Sequence, residues 1–138
     1  MKPVFVDTMG WYSLFDRRDS WHDSAGALLK NLAGRKIPLL TTDYVVDETA
    51  TLLMVRGASR ALDAFFEMLE ESSALTLSMI GHARFLEACD YFLKHRDQGY
   101  SFTDVTSFVV MRELRLKEAL THDDHFERAG FTRLLARR

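Results

Sequence analysis

A chain of 138 residues that is 47% apolar and 28% charged, with two prolines, has the composition of one globular domain, 1–138, able to bury roughly 68% of its unfolded surface, and excludes a disordered or low-complexity polymer. The net charge of −2 provides no broad positive field, so any contact with nucleic acid must rely on a local basic patch or on metal-bridged phosphates. A lone cysteine, Cys89, excludes an internal disulfide and fits a reducing cytosol; "MKPVFVDT" lacks the apolar core of a signal peptide, and no run reaches the ~20 residues of a membrane helix, so a cytoplasmic protein is expected.

The elements alternate along the chain. "PVFVD" (3–7) is a short β-branched run ending on an acid. "GWYSLF" and "WHDSAGALLKNLAG" (21–34) read as helices, the second closed by Gly34 as C-cap. "IPLLTT" (37–42) predicts a second buried strand, followed by a helix over 43–57 that ends at Gly57. In 59–72, Leu62, Phe65, Phe66 and Leu69 recur at helical spacing. "ALTLSMI" (74–80) predicts a third strand. Helices follow over 82–99 and 103–117, parted by the polar break "RDQGYS". "EALT" (118–121) is a fourth strand, "DHFERAG" a helical turn, and "FTRLLA" (131–136) a fifth strand. Strands apolar on both faces, alternating with helices, predict an α/β domain built on a parallel sheet.

Ligands of such sheets bind beyond the carboxyl ends of the strands. Asp7 ends the first strand, and Asp123 follows the fourth within "THDDHF". Glu48 lies in the helix after the second strand; its neighbours Val45 and Leu52 put it on the apolar face, whereas Asp47 points toward solvent. Asp104 sits in the first turn of its helix. Each acid also has a structural explanation. Asp7, and Asp123 or Asp124, could cap helices, "SFTD" reads as a capping box with Ser101 as N-cap, and Glu48 could pair with a buried arginine. Jointly, four carboxylates from separate segments converging on one rim would repel one another and raise their own pKa values, a tension that Mg²⁺ or Mn²⁺ relieves. Acids around such ions are the apparatus of phosphodiester cleavage.

"VFVDTMGWYSLF", "DYVVDETATLL", "SFTDVTSFVVM" and "ALTHDDHFERAGF", in this order, resemble the motifs of PIN-domain ribonucleases, in particular the VapC-type toxins of prokaryotic toxin–antitoxin pairs. The resemblance covers essentially the whole chain. It implies a PIN-like three-layer α/β fold with a central parallel five-stranded sheet flanked by helices. It assigns Asp7, Glu48, Asp104 and Asp123 as catalytic, metal-holding acids, with Asp124 in a variable slot. It further implies a homodimer and a small cognate antitoxin that covers the active site.

The expected chemistry is Mg²⁺- or Mn²⁺-dependent hydrolysis of RNA, with one ion or two, and the resemblance implies products with 5′-phosphate and 3′-hydroxyl ends. Thr8 and Ser107 are candidates for supporting hydrogen bonds to the acids or to water, with helix-start and back-bonding roles as the alternative. Arg112 and His122 are candidate RNA contacts. Trp11, Tyr12, Phe15 and Trp21 could form an antitoxin groove, and the runs at 16–18, 94–96 and 137–138 could grip phosphates. Zinc on His122 and His125 finds no companion Cys/His spacing, and His125 reads as a helix-start residue. A non-catalytic binding module and a DNA nuclease remain as alternatives. So does a phosphotransferase using Asp7 as nucleophile, although Met9 stands where the haloacid-dehalogenase type carries a second acid.

Overall fold

In the computed structural model of the chain, which describes residues 1–136, five parallel strands form one sheet in the order β3-β2-β1-β4-β5. The strands are β1 (Val4–Val6), β2 (Leu39–Thr42), β3 (Leu75–Ser78), β4 (Glu118–Leu120) and β5 (Thr132–Arg133). Seven α-helices connect and follow them: α1 (Thr8–Phe15), α2 (His22–Gly34), α3 (Asp43–Val55), α4 (Leu62–Glu71), α5 (Gly81–Lys94), α6 (Phe102–Glu113) and α7 (Asp124–Arg128). The strand order reverses between β1 and β4. The chain first steps outward through β2 to β3, then returns to the other side of β1, which makes the β1/β4 boundary the switch point where a crevice opens.

The core lies where the sequence is apolar on every face. Val4, Phe5 and Val6 are buried, as are all residues of β2, and α6 is buried without interruption from Val105 to Met111. A helix covered on all sides is held rigidly, and this one carries Asp104 in its first turn. Phe126 anchors α7 under the same layer, its ring packed on Phe5, Phe108 and Phe131.

Several boundaries differ from expectation. β3 is an edge strand, not a strand buried on both faces, and it exposes Thr76 and Leu77. Gly34 is the last helical residue of α2, and the left-handed position falls on Lys36 (φ 57°). There the Ile37 and Lys36 N–H groups return to the Leu32 and Ala33 carbonyls, closing a Schellman motif. The same motif ends α6 at Glu113, four residues before the expected 117. Arg115 takes the left-handed position and Leu116 folds back onto the Met111 carbonyl, burying its side chain. α5 stops at Lys94 and a short 3-10 turn leads to Gly99 (φ 73°), so the expected single helix over 82–99 is broken. The fifth strand contracts to Thr132–Arg133, while Leu134 and Leu135 continue in irregular chain. The basic pair at 137–138 lies outside the described residues. Among the described residues no helix is long and apolar enough to cross a membrane.

Candidate active site

The pocket begins with a glycine. Gly10, in the first turn of α1, stands so close to β4 that a Cβ there would come within 2.0 Å of the Leu120 carbonyl oxygen. Only glycine permits this approach, and it presses the start of α1 against the end of β4. Asp7 is thereby seated at the switch point as the N-cap of α1. Its Oδ1 accepts from the Gly10 N–H (2.8 Å), and its Oδ2 accepts from the Thr121 hydroxyl (2.9 Å). Thr121 Oγ1 in turn accepts from the Asp123 N–H (3.0 Å), so one buried threonine sets the relation between two of the acids.

Asp123 is the N-cap of α7, its Oδ1 accepting from the His125 N–H at 2.9 Å. Asp104 closes the capping box of α6: its N–H donates to Ser101 Oγ (3.0 Å) and its Oδ2 accepts from the Ser101 N–H (3.3 Å). The same Oδ2 lies 2.9 Å from His125 Nδ1, which is also 3.5 Å from Asp123 Oδ1. An ionised carboxylate only accepts, so with Asp104 ionised this contact requires a proton on Nδ1. The capping and clustering explanations therefore both hold, because a carboxylate has lone pairs left after it caps a helix.

These acids line one cleft of about 320 Å³ with Glu48, Thr8, Tyr100 and His125. Glu48 reaches it from α3, half-buried, and makes no hydrogen bond or ion pair with any described residue; the buried arginine considered for it is absent from the cleft. Among the described residues no lysine or arginine lines the cleft. Burial, above all, pushes the Asp7 carboxyl well above its usual value, and the charges of Asp104 and Asp123 push the same way against the Gly10 and Thr121 hydrogen bonds. Asp104 is raised likewise, first by burial and then by Asp123, with His125 opposing. The cluster is short of positive charge.

The donor set suits a hard divalent cation. Carboxylate oxygens of Asp104 and Asp123 and a ring nitrogen of His125 lie within 4.8 Å of one another, and Asp7 adjoins them. Thr8 Oγ1, buried at the cleft, has no hydrogen-bond partner among the described residues, which fits a cleft that takes a polar ligand.

The remaining predicted residues lie elsewhere. Ser107 donates to the Thr103 carbonyl (3.1 Å), which is helix back-bonding rather than a contact with an acid. Arg112 does not balance the acids. It leaves the cleft, donating to the Tyr91 hydroxyl and the Ala129 carbonyl, both at 3.1 Å. His122 stacks on Trp21, rings 5.0 Å apart and nearly parallel, and burial lowers its pKa. It does not share a site with His125, so the two histidines form no joint zinc pair. Sequence reasoning placed His125 at a helix start, where it stands, but missed its contact with Asp104, and missed Thr121 and Tyr100 as parts of the site. His125 stands two residues after its helix N-cap, a position from which a side chain reaches back to the cap; only the fold reveals that Asp104 waits there.

The PIN domain family matches residues 4–132. The chain is 33% identical over 135 residues to the 23S rRNA-specific endonuclease VapC20 of Mycobacterium tuberculosis, covering 93% of this chain and 95% of that one. It is 29% identical over 125 residues to a VapC ribonuclease of Archaeoglobus fulgidus, covering 89% and 78%. The crystal structure of M. tuberculosis VapC20, described as a sarcin-ricin loop cleaving toxin, superposes with a TM-score of 0.83 at 32% identity, over 95% of this chain and 98% of that chain. With the acid cleft at the switch point of its parallel sheet, the chain belongs to the PIN-domain family, in its VapC ribonuclease branch.

Proposed function

We propose that the acid cleft is the centre of a Mg²⁺- or Mn²⁺-dependent endoribonuclease, the toxin of a toxin–antitoxin pair acting in the cytoplasm. The observation that carries this reading is the convergence of Asp7, Glu48, Asp104 and Asp123 on one cleft that no lysine or arginine lines among the described residues. A bound divalent cation supplies Lewis acidity, lowering the pKa of water and neutralising charge on the phosphoryl oxygens. Asp7, Asp104 and Asp123 would hold it, with Glu48 completing the site.

The protein's own groups set the geometry. Thr121 fixes Asp7 relative to Asp123, and His125 Nδ1–H holds the Asp104 carboxylate in one orientation. Glu48, whose carboxylate no described residue engages, is free to orient the attacking water and accept its proton. Attack by water leaves a 5′-phosphate and a 3′-hydroxyl. The M. tuberculosis relatives, named for 23S rRNA and the sarcin-ricin loop, make a structured ribosomal RNA the first substrate to try.

An antitoxin segment would fit the apolar cavity of about 270 Å³ between α1, α2 and α4, lined by Trp11, Phe15, Leu29 and Met68. A second copy would cover the exposed Phe85, Leu86 and Leu93 of α5. The test incubates purified protein, freed of antitoxin, with 5′-labelled structured RNA in Mn²⁺, beside lanes with EDTA and with Asp7→Asn. Cleavage lost in both control lanes supports the reading. Cleavage that survives Asp7→Asn, or products ending in a 2′,3′-cyclic phosphate, contradicts it.

A further inference from the structure

A nuclease cleft lined by acids must still hold a polyanion, so cations should stand where the RNA backbone enters and leaves. Beside this cleft and on the surface leading away from it are two arginines that form no ion pair among the described residues. Arg128, exposed on α7, carries its guanidinium over the ring of Tyr100, 5.6 Å from its centre, and Tyr100 lines the cleft. Arg112, exposed on α6, lies over Tyr91 (4.7 Å) and Phe131 (5.5 Å) and donates to the Tyr91 hydroxyl and the Ala129 carbonyl. His95 also stacks on Tyr91, their ring centres 3.9 Å apart.

The nearest acids do not cancel this charge. Glu127 is held by Arg133 at 2.8 Å, and neither Asp124, one turn before Arg128, nor Asp97 forms an ion pair with either arginine. Both guanidiniums and Asp104 act on the Tyr100 hydroxyl, although burial dominates its upward shift, so Tyr100 stands within electrostatic reach of all three. Aromatic faces fix the planes of the two guanidiniums without occupying all their N–H donors, which suits them to phosphate oxygens.

Resting on the ribonuclease reading of the cleft, we propose that Arg128 and Arg112, seated on Tyr100 and Tyr91, form a subsite for the RNA phosphates that flank the scissile one. The ligand is the sugar–phosphate backbone, so the subsite contributes affinity without base preference.

The experiment measures binding apart from cleavage. Fluorescence anisotropy with a fluorescein-labelled RNA stem-loop, in EDTA, follows affinity between about 50 and 200 mM KCl, the range over which counterion release is readily seen. Arg128→Gln should weaken binding roughly three- to tenfold at the low-salt end and reduce the log–log salt slope by about 0.7–1, the value for one lost phosphate contact. Arg112→Gln should do the same and the double variant should lose both increments, while Arg128→Lys keeps most of the slope. Arg60→Gln, in the 3-10 turn before α4, serves as the exposed control and leaves binding unchanged. Arg112 also ties α6 to α5 and to Ala129, so melting curves accompany its variant; among the described residues Arg128 makes a ring contact and no hydrogen bond or ion pair, and its substitution reads binding without that complication.

Wild-type affinity and slope in Arg128→Gln overturn the subsite, leaving the surface to another partner such as an acidic protein segment. A wild type that shows no affinity for the RNA at low salt overturns it too. Arginine-dependent binding by a wild type that does not cleave in Mn²⁺ would uphold the subsite and remove the hydrolytic reading instead.

Discussion

Helix α1 carries a buried aspartate at each end, and the two could hardly be more different. Asp16, its C-cap, is held by the Arg18 guanidinium, the Arg18 N–H and the Tyr12 hydroxyl. These bonds, led by Arg18, keep its carboxyl far below the usual carboxylate range. Asp7, the N-cap, has two neutral donors, Gly10 N–H and Thr121 Oγ1, and faces Asp104 and Asp123. Burial and like charge push it up. One acid is answered by the fold and the other is not. A carboxylate left uncompensated at a strand-order switch, in a cleft whose Thr8 hydroxyl has no hydrogen-bond partner among the described residues, stands where the proposed function would require charge that stability would avoid.

The largest expected contrast is catalytic. Asp7→Asn and Asp104→Asn should each lower RNA cleavage in Mn²⁺ by more than ~100-fold, the scale for removing one charged group from a preorganised site, measured by initial rates on labelled RNA. Asp16→Asn should leave the rate per folded molecule near wild type. Stability should show the reverse order. Asp16→Asn should lower Tm by roughly 3–6 °C through weakened charged hydrogen bonds. Asp7→Asn should leave the metal-free Tm unchanged or higher, since asparagine caps helices well and removes a repelling charge.

The pH dependence sharpens the comparison. For Asp7 and Asp104, whose folded pKa values are raised, the stabilising contribution is complete below the unfolded value of about 4 and is lost as pH rises through the folded values. Metal-free protein should therefore melt higher at about pH 5 than at pH 7, and saturating Mn²⁺ should remove that gain by favouring the ionised forms. For Asp16 the sign is opposite: its contribution is present above about pH 4 and lost as pH falls through its depressed folded value, so melting should drop in stronger acid. The smallest effect belongs to Thr121→Val, which removes the hydroxyl between Asp7 and Asp123. It should cost about 10- to 100-fold in metal affinity or rate, read as a shifted Mn²⁺ dependence of cleavage.

Much of the fold was legible because the strands at the centre of the sheet are apolar on both faces and the helices announce their caps. Asp7, Ser101 and Asp123 cap where their positions predicted. The misjudged features depend on contacts far apart in sequence. β3 is an edge only because the chain returns to β1 after it, and α6 ends early because Leu116 finds the core. The positions of the acids were visible as residues at strand ends and helix starts, together with the resemblance. The partners that orient them were not. Thr121 meets Asp7 across 114 positions and His125 meets Asp104 across 21, and no local pattern encodes either meeting. Arg112 shows the same limit, since its helix phase did not reveal that Tyr91 would draw it out of the cleft.

The most direct measurement of the central claim is the Mn²⁺ dependence of melting for the wild type, Asp7→Asn and Asp16→Asn. A cleft whose acids await a cation predicts a wild-type rise of roughly 5–10 °C at ~100 times the dissociation constant. It predicts a similar rise on the lower baseline of Asp16→Asn, and little or none for Asp7→Asn at the same concentration. An equal rise in all three proteins, or none in the wild type, would contradict the account.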